Sequence, residues 1–423
     1  MKLHVKTFGC RVNQYESEKI REGFDRVGVK TSDCDNADIH VINTCSVTHN
    51  ADKDARVAIR RILEKHPESK VIVTGCWATC SAEEIKRLFP KVLVVDNRKK
   101  DSIPQILFRG HHALSECSAP GITDFQGHSR AFIKIQDGCN MKCSYCIVPK
   151  ARPKLSCRPV EDIISEIKGL LANGFREIVL CGIRLGGYLA KDSKGNRADL
   201  IKLLKLIDRL EGDFKIRLSS VEVTSLTDRF LGEYSEISRA CDYFHVPLQS
   251  GSNRVLKSMR RWYNKNQFSE RIRKVRSVLG ADTGIYTDLM VGFPAETEED
   301  FKQSEALARD LDFSGLHIFK FSARHGTDAC GIEQVFTTKE LKHRLLHIRS
   351  LDRALRKRFA EKFIGKKLDA MLEEKRGDVS YLRASNFIQV LSSQQKEVPG
   401  WRKVSIEREE GGNLWKKTAF SAG

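Results

Sequence analysis

Between Phe132 and Phe321 the chain repeats one pattern six times, a short strand-like run followed by a helical or turn-rich stretch. The runs are "FIKIQ", "EIVLCG", "KIRLSS", "DYFHVP", "GIYTDLMV" and "GLHIFKF", separated by helical patterns such as "VEDIISEIKGLLANG" and "DLIKLLKLIDRLEG". Strands that alternate with helices build parallel sheets, because each crossover carries the chain back to the same end of the sheet. Six such units in about 190 residues exceed a simple doubly wound domain and fall short of the eight that close a full barrel. An incomplete (β/α)6 barrel is therefore expected at the centre of an α/β chain.

The flanks read differently. Before the repeat, "LHVKTFG", "DIHVINT" and "KVIVTG" are strand-like, and "QYESEKIREGFDRVG" and "ADKDARVAIRRILEKH" are helical, the second stopped by Pro67. This alternation predicts a small open parallel sheet with covering helices. Residues 110–129, "GHHALSECSAPGITDFQGHS", lose the periodicity and read as a connector. After the repeat, residues 338–362 form a basic helical pattern with Leu341, Leu345, Ile348, Leu355 and Phe359 on one face. Short runs "KKLDAMLEE", "NFIQVLSS" and "RKVSIERE" follow, as in a small antiparallel β-barrel. The expected domains are 1–112, 125–355 and 358–420.

Composition limits the functional class. Of 423 residues, 40% are hydrophobic and 30% charged, and no run approaches the roughly 18 apolar residues of a membrane span. The opening "MKLHVKTFGC" lacks the apolar core of a secretion signal, so a cytoplasmic protein without membrane contact is expected. In a reducing cytosol the thirteen cysteines read as ligands, nucleophiles or small buried hydrophobes rather than disulfides. A net charge of +18 points to a polyanionic partner, since a basic surface gains affinity by releasing counterions from phosphates.

The segment "RAFIKIQDGCNMKCSYCIVP" places Cys139, Cys143 and Cys146 in one loop directly after a strand, with Gly138 permitting the bend. Thiolates hold iron–sulfur clusters, which usually take four protein sulfurs. Three without a nearby fourth leave one iron free for a substrate or cofactor. Zinc, which prefers four closed ligands, and three separate thiols are the rival readings. Cys10, Cys45 and Cys76 each lie just past the end of a predicted parallel strand, where an open sheet gathers its ligands. They form either a second three-ligand site or a set of buried thiols.

"GCNMKCSYCIVP" resembles the cluster loop of the radical S-adenosylmethionine (SAM) enzymes. Together with "TFGCRVNQYES", "VINTCSVTHNAD" and "VTGCWATC", it makes the chain resemble the methylthiotransferases over nearly its whole length. "EIVLCGIRLGGY", "HVPLQSGSNRVLKSMRR", "TDLMVGFPAETEEDF" and "LHIFKFSARHGTDA" agree. The resemblance implies an amino-terminal cluster domain, a radical SAM barrel and a TRAM-like RNA-binding β-barrel. It implies two [4Fe–4S] clusters, one on Cys10, Cys45 and Cys76 and one on Cys139, Cys143 and Cys146, with no catalytic residue beyond these cysteines. SAM would serve as methyl donor and radical source. "FGCRVNQYESE" and "VINTCSVT" look most like the branch acting on N6-threonylcarbamoyladenosine at position 37 of tRNA, beside the anticodon. Two alternatives keep the same chemistry, on N6-isopentenyladenosine or on a ribosomal-protein aspartate. A third is an RNA-binding iron–sulfur redox sensor.

By the same resemblance, Gly182 would bound the methionine end of SAM, Ser219 and Glu222 would face its ribose or amino group, and Gln249 in "PLQSGS" would sit near the adenine. Arg152 belongs to this set, although Pro153 and Cys157 depart from the family's usual Arg-Gly and Ser-Arg and put its role in doubt. A monomer is expected, with the tRNA anticodon stem-loop as partner and flavodoxin or ferredoxin as electron donor. Cys80 is expected on the apolar face of a helix, and Cys34, Cys117, Cys157, Cys181, Cys241 and Cys330 as structural thiols. From Leu341 to Lys367 there are ten Lys or Arg and two acidic residues, a pattern suited to phosphate contacts. Tyr381, Phe387 and Trp401 are either base-stacking residues or core.

Overall fold

The structure, a computed structural model, describes residues 1–47, 49–108, 121–393 and 400–416. Cys117 and most of the expected connector lie outside the described residues; its last part, 121–129, contains only turns and bends.

In the first unit β1 (Lys2–Thr7), β2 (Lys30–Thr31), β3 (Ile39–Thr44), β4 (Lys70–Gly75) and β5 (Leu93–Val94) form a parallel sheet in the order β2-β1-β3-β4-β5. Every residue of β3 is buried because helices cover both faces. Ile20 and Phe24 of α1 (Arg11–Asp25) pack with Leu3, Val5 and Val41. Ile59 and Ile62 of α2 (His49–Lys65) pack with Ile42 and Val73 on the opposite face, as the period of two along a strand requires. Short helices α3 (Cys76–Cys80), α4 (Ala82–Leu88) and α5 (Ile103–Leu107) finish the unit.

The repeat forms an arc of six parallel strands. β6 (Ala131–Asp137) pairs with β8 (Glu177–Gly182), and β8 with β11 (Lys215–Leu218), while β7 (Ser156–Cys157) adds an antiparallel edge. β9 (Leu189–Lys191) and β10 (Arg197–Asp199) form a side hairpin. β12 (Tyr243–His245), β13 (Gly284–Val291) and β14 (Gly315–Lys320) continue the arc, joined to it by bridges Ile216↔Ala240 and Ser220↔His245. Its connections carry α6 (Val148–Ala151), α7 (Val160–Ala172), α8 (Leu200–Asp208), α9 (Asp228–Ser235), α10 (Asn253–Ser258), α11 (Lys265–Leu279) and α12 (Glu298–Asp310). α11 and α12 begin with reciprocal capping boxes, Asn264 with Gln267 and Thr297 with Asp300.

α13 (Thr338–Glu361) follows, buried at Leu341, Ile348, Leu351, Leu355 and Phe359, nearly the face read from the sequence. Leu355 belongs to the central core and Phe359 to that of the last unit, so the helix crosses the expected 355–358 boundary. β15 (Lys367–Arg376), β16 (Val379–Ala384), β17 (Gln389–Ser392), β18 (Trp401–Glu410) and β19 (Asn413–Lys416) close a barrel in the order β15-β16-β17-β19-β18. The pairing is antiparallel as expected except between β17 and β19, which run parallel. Phe387 packs 4.6 Å from Tyr243, and the Trp401 indole donates to the Arg176 carbonyl at 2.7 Å. These two aromatics fasten the small barrel to the arc and are not offered to bases. No described helix is long and apolar enough to cross a membrane.

Candidate active site

In the strand order 2-1-3-4-5 the direction of progression reverses between β1 and β3, and ligands of such sheets bind at the carboxyl ends of the strands flanking that reversal. Cys10 follows β1, Cys45 follows β3 and Cys76 follows β4. Glycines let these strand ends approach. A Cβ on Gly9 would lie 2.6 Å from that of Cys45, and one on Gly75 would lie 2.2 Å from the Thr44 oxygen, and both glycines have left-handed φ, 103° and 97°. Asn13 ties the turns together, donating to the Phe8 and Thr44 carbonyls at 2.9 Å.

The second set lies on the loop after β6. Ser144 anchors it, its hydroxyl donating to Ser258 O at 2.8 Å and its amide to Met259 O at 3.1 Å. The Met141 amide points at Cys139 Sγ (3.4 Å) and the Arg261 guanidinium at Cys143 Sγ (3.4 Å). In the first set, the Val47 amide and the Asn97 side chain point at Cys45 and Cys76 (3.5 and 3.7 Å). Donors aimed at sulfur stabilise thiolate ligands and tune the metal they hold.

Within each set the thiols interact electrostatically. Neither set, however, falls among the groups of described residues whose ligand atoms all lie within 4.8 Å of one another. Such spacing is too wide for a single zinc ion with bonds of about 2.3 Å. Burial pushes the Cys45 and Cys146 thiols up to about 12 and raises Cys10 and Cys139 as well. Such thiols ionise when a metal takes the proton's place.

A buried ion network joins the two units beneath Cys10 and Cys76. Glu16 receives Lys100 (2.6 Å), Arg152 (2.7 Å) and Lys134 (2.8 Å), and Arg152 also pairs with Asp137 at 2.9 Å. Burial opposes the Glu16 charge, yet Arg152, Lys100 and Lys134 together hold its carboxyl well below the usual range. Three cations face two carboxylates, leaving a positive excess in this network, and Arg152 lowers the Cys10 thiol against its burial. Arg152 thus lies within this network, and its carbonyl accepts from the Cys139 amide at 3.4 Å. Lys100 carried no sequence signal and Glu16 was not singled out within "TFGCRVNQYES", since their meaning depends on partners 84 residues apart.

Of the other expected residues, Ser219 is buried with a hydroxyl oxygen that has no hydrogen-bond partner among the described residues, an orphan that a polar ligand group would satisfy. Glu222 pairs with Arg261. Gly182 leaves room for Gln136, 3.0 Å from where a Cβ would sit. Gln249 adopts a left-handed φ of 70° and lines a cavity of about 160 Å³ with Tyr145, Cys146 and Val148 of the cluster loop. Asp288, Met290, Phe319 and Lys320 complete the arc side of this cavity, and Val47, two residues past Cys45, closes it from the first unit. Asp288 accepts from His245 at 2.7 Å with His317 at 3.6 Å. Burial opposes its charge, but the two imidazoles hold the carboxyl well below its ordinary value. Cys80 corrects an expectation: it is exposed at the end of α3, within electrostatic reach of Cys76, and not on an apolar face.

Residues 2–96 match the family model described as uncharacterized protein family UPF0004, and residues 133–308 match the radical SAM superfamily. A threonylcarbamoyladenosine tRNA methylthiotransferase MtaB of Thermotoga maritima is 34% identical over 88% of this chain and 86% of its own. The protein of that name in Bacillus subtilis is 35% identical over 87% and 84%. A tRNA-2-methylthio-N(6)-dimethylallyladenosine synthase of Chromobacterium violaceum is 34% identical over 78% of each chain. Among solved structures, the radical SAM methyltransferase TsrM of Kitasatospora setae superposes with a TM-score of 0.52 at 11% identity, covering 75% of this chain and 72% of that one, which is a likeness of fold.

Proposed function

The chain belongs to the radical SAM methylthiotransferases, and from that footing we propose that it converts N6-threonylcarbamoyladenosine at position 37 of tRNA to its 2-methylthio derivative. The observation that carries this reading is the pair of three-cysteine sets, one on each unit, with a cavity that Cys146 lines on one side and Val47, two residues past Cys45, lines on the other. Cys10, Cys45 and Cys76 would hold one [4Fe–4S] cluster, and Cys139, Cys143 and Cys146 the other. When bound, the clusters and SAM supply the sulfur carrier, the methyl group and the 5′-deoxyadenosyl radical that removes the C2 hydrogen of adenine.

The chain's own residues position and insulate. Met290, Phe319, Val47 and Tyr145 give the cavity apolar walls that exclude water from a reactive radical. Ser219 and Gln249 would hydrogen-bond SAM and Gly182 would bound it, a reading supported by the unpartnered Ser219 hydroxyl and by Gln249 on the cavity wall. Glu222, through its ion pair with Arg261, positions the cluster loop at Cys143. Asp288, fixed by His245 and His317, presents a constant negative charge to the cavity. Lys320 on the same wall is the cation assigned to the threonyl carboxylate, a group the isopentenyl side chain lacks. The anticodon stem-loop, a monomeric enzyme, a flavodoxin- or ferredoxin-type reductant and a cytoplasmic location complete the proposal. The dimethylallyladenosine relative favours the second reading, the same chemistry on isopentenyladenosine. Mass spectrometry of tRNA nucleosides from a strain lacking the chain separates the two. Loss of the 2-methylthio-threonylcarbamoyl nucleoside supports the first reading, and its persistence overturns it.

A further inference from the structure

Away from the cluster ligands, the sheet face under α2 gathers a second set of metal-binding side chains. His4 on β1 and His40 on β3 are register partners, so their side chains leave the same face, and their Nδ1 atoms lie 3.2 Å apart. Cys34, in the loop between β2 and β3, reaches over them; its sulfur and one nitrogen from each imidazole all lie within 4.8 Å of one another. Cys34 belongs to a second such triple with Asp35 and His66. His66 stands directly after α2, its ring stacked 5.4 Å from that of His40. His40 is fully buried, and its Nε2 has no hydrogen-bond partner among the described residues, nor does the buried Nε2 of His66, which lies 3.6 Å from Asp35. Burying an unpaired imidazole nitrogen is costly unless something accepts its lone pair.

His4, His40 and Cys34 thus form one cluster of donor atoms, and Cys34 with Asp35 and His66 forms a second that shares its sulfur. The Asp33 carboxylate accepts from the Asn36 amide at 3.0 Å and fixes the turn that carries Cys34. One wall of the site opens to a groove of about 500 Å³ between β1 and α2, which gives an ion access. His4 pairs three positions before the register pair Thr7↔Asn43 at the cluster end of the sheet, about 10 Å back along the strands. The site is thus separate from Cys10, Cys45 and Cys76.

We propose that His4, Cys34 and His40 bind one zinc-class divalent ion that pins the Cys34 loop to the sheet, with the fourth coordination position open to the groove. The donor chemistry selects the ion. One thiolate with imidazoles suits zinc or another late first-row divalent metal in tetrahedral geometry, whereas calcium and magnesium demand oxygen ligands. The close packing of these ligand atoms is what the cluster cysteines lack.

The test uses the full chain after anaerobic cluster reconstitution, exposed to zinc chloride, desalted, and analysed for zinc and iron by mass spectrometry. The expected result is about one zinc retained per chain, lost in Cys34→Ser and His4→Ala while iron stays at the parent value. Retention of no zinc by the parent, or of parental zinc by both variants, overturns the proposal. If a variant loses iron as well, the zinc K-edge spectrum of the unmutated protein decides. One sulfur with two or three nitrogens upholds the site, and coordination by sulfur alone assigns the zinc to vacated cluster positions and overturns it.

Discussion

Glu16, six residues past Cys10 in "TFGCRVNQYES", carries more of the site than that motif alone suggests. It is the one carboxylate shared by Lys100, Lys134 and Arg152, and removing one partner of a buried ion network leaves the others uncompensated. Glu16→Gln is expected to destabilise the protein by about 3–5 kcal/mol near neutral pH, read by denaturant unfolding. Its depressed pKa fixes the pH sense. The stabilisation is fully present above the ordinary glutamate value of 4.5 and is lost as pH falls below it, and the variant should lose that acid dependence. For the ligands, Cys139→Ala should abolish 5′-deoxyadenosine formation, whereas Cys10→Ala should leave it and stop sulfur insertion; loss of only RNA affinity in both would break the assignment of separate roles. Lys320→Met should lower kcat/KM on threonylcarbamoyl tRNA by roughly tenfold or more, since a hydrogen bond to a charged group contributes about 1.5–3 kcal/mol, while SAM cleavage continues. The places of the six cysteines, three after strands of the first sheet and three in one loop after β6, were legible because periodicity alone reveals those strands. Arg261, Asp288 and Lys100 were not, because their value lies in contacts across the fold, such as the 118-residue separation between Arg261 and Cys143.

α13 shows what periodicity reads and what it misses. Its apolar stripe and its start, where Thr337 and Glu340 form a capping box, were plain in the sequence, but no local feature marks where one core ends and the next begins along a single continuous face. Ile348→Ala should cost about 2–5 kcal/mol and Thr337→Ala about 1 kcal/mol, both measured by denaturant unfolding. The two-residue strands β2 and β5 are too short to carry a period of two. The parallel pairing of β17 with β19 is set by barrel closure rather than by either strand. Phe387 and Trp401, open in the sequence to a stacking or a core role, are consumed by the contact with Tyr243 and Arg176, a partnership between units far apart in the chain.

The three units are locked together by buried contacts, and the helix that joins the last two carries exposed basic residues. Arg217 is buried where the arc meets the small barrel, pairing with Glu177 at 2.7 Å and donating to the Ser385 carbonyl at 2.9 Å, so the small barrel is fixed relative to the chemistry. Lys342, Arg349 and Arg353 are exposed on α13. Reversing Arg349 and Arg353 to Glu should weaken tRNA binding and flatten its log–log salt dependence by roughly 0.9 per lost phosphate contact, as read by filter binding across a salt series. The most direct measurement is the iron content and electron paramagnetic resonance spectrum of the anaerobically reconstituted chain. Two clusters require about eight irons in the parent and about four, with one signal retained, when Cys139, Cys143 and Cys146 are all replaced by alanine. A parent that never holds more than about four irons would contradict the account.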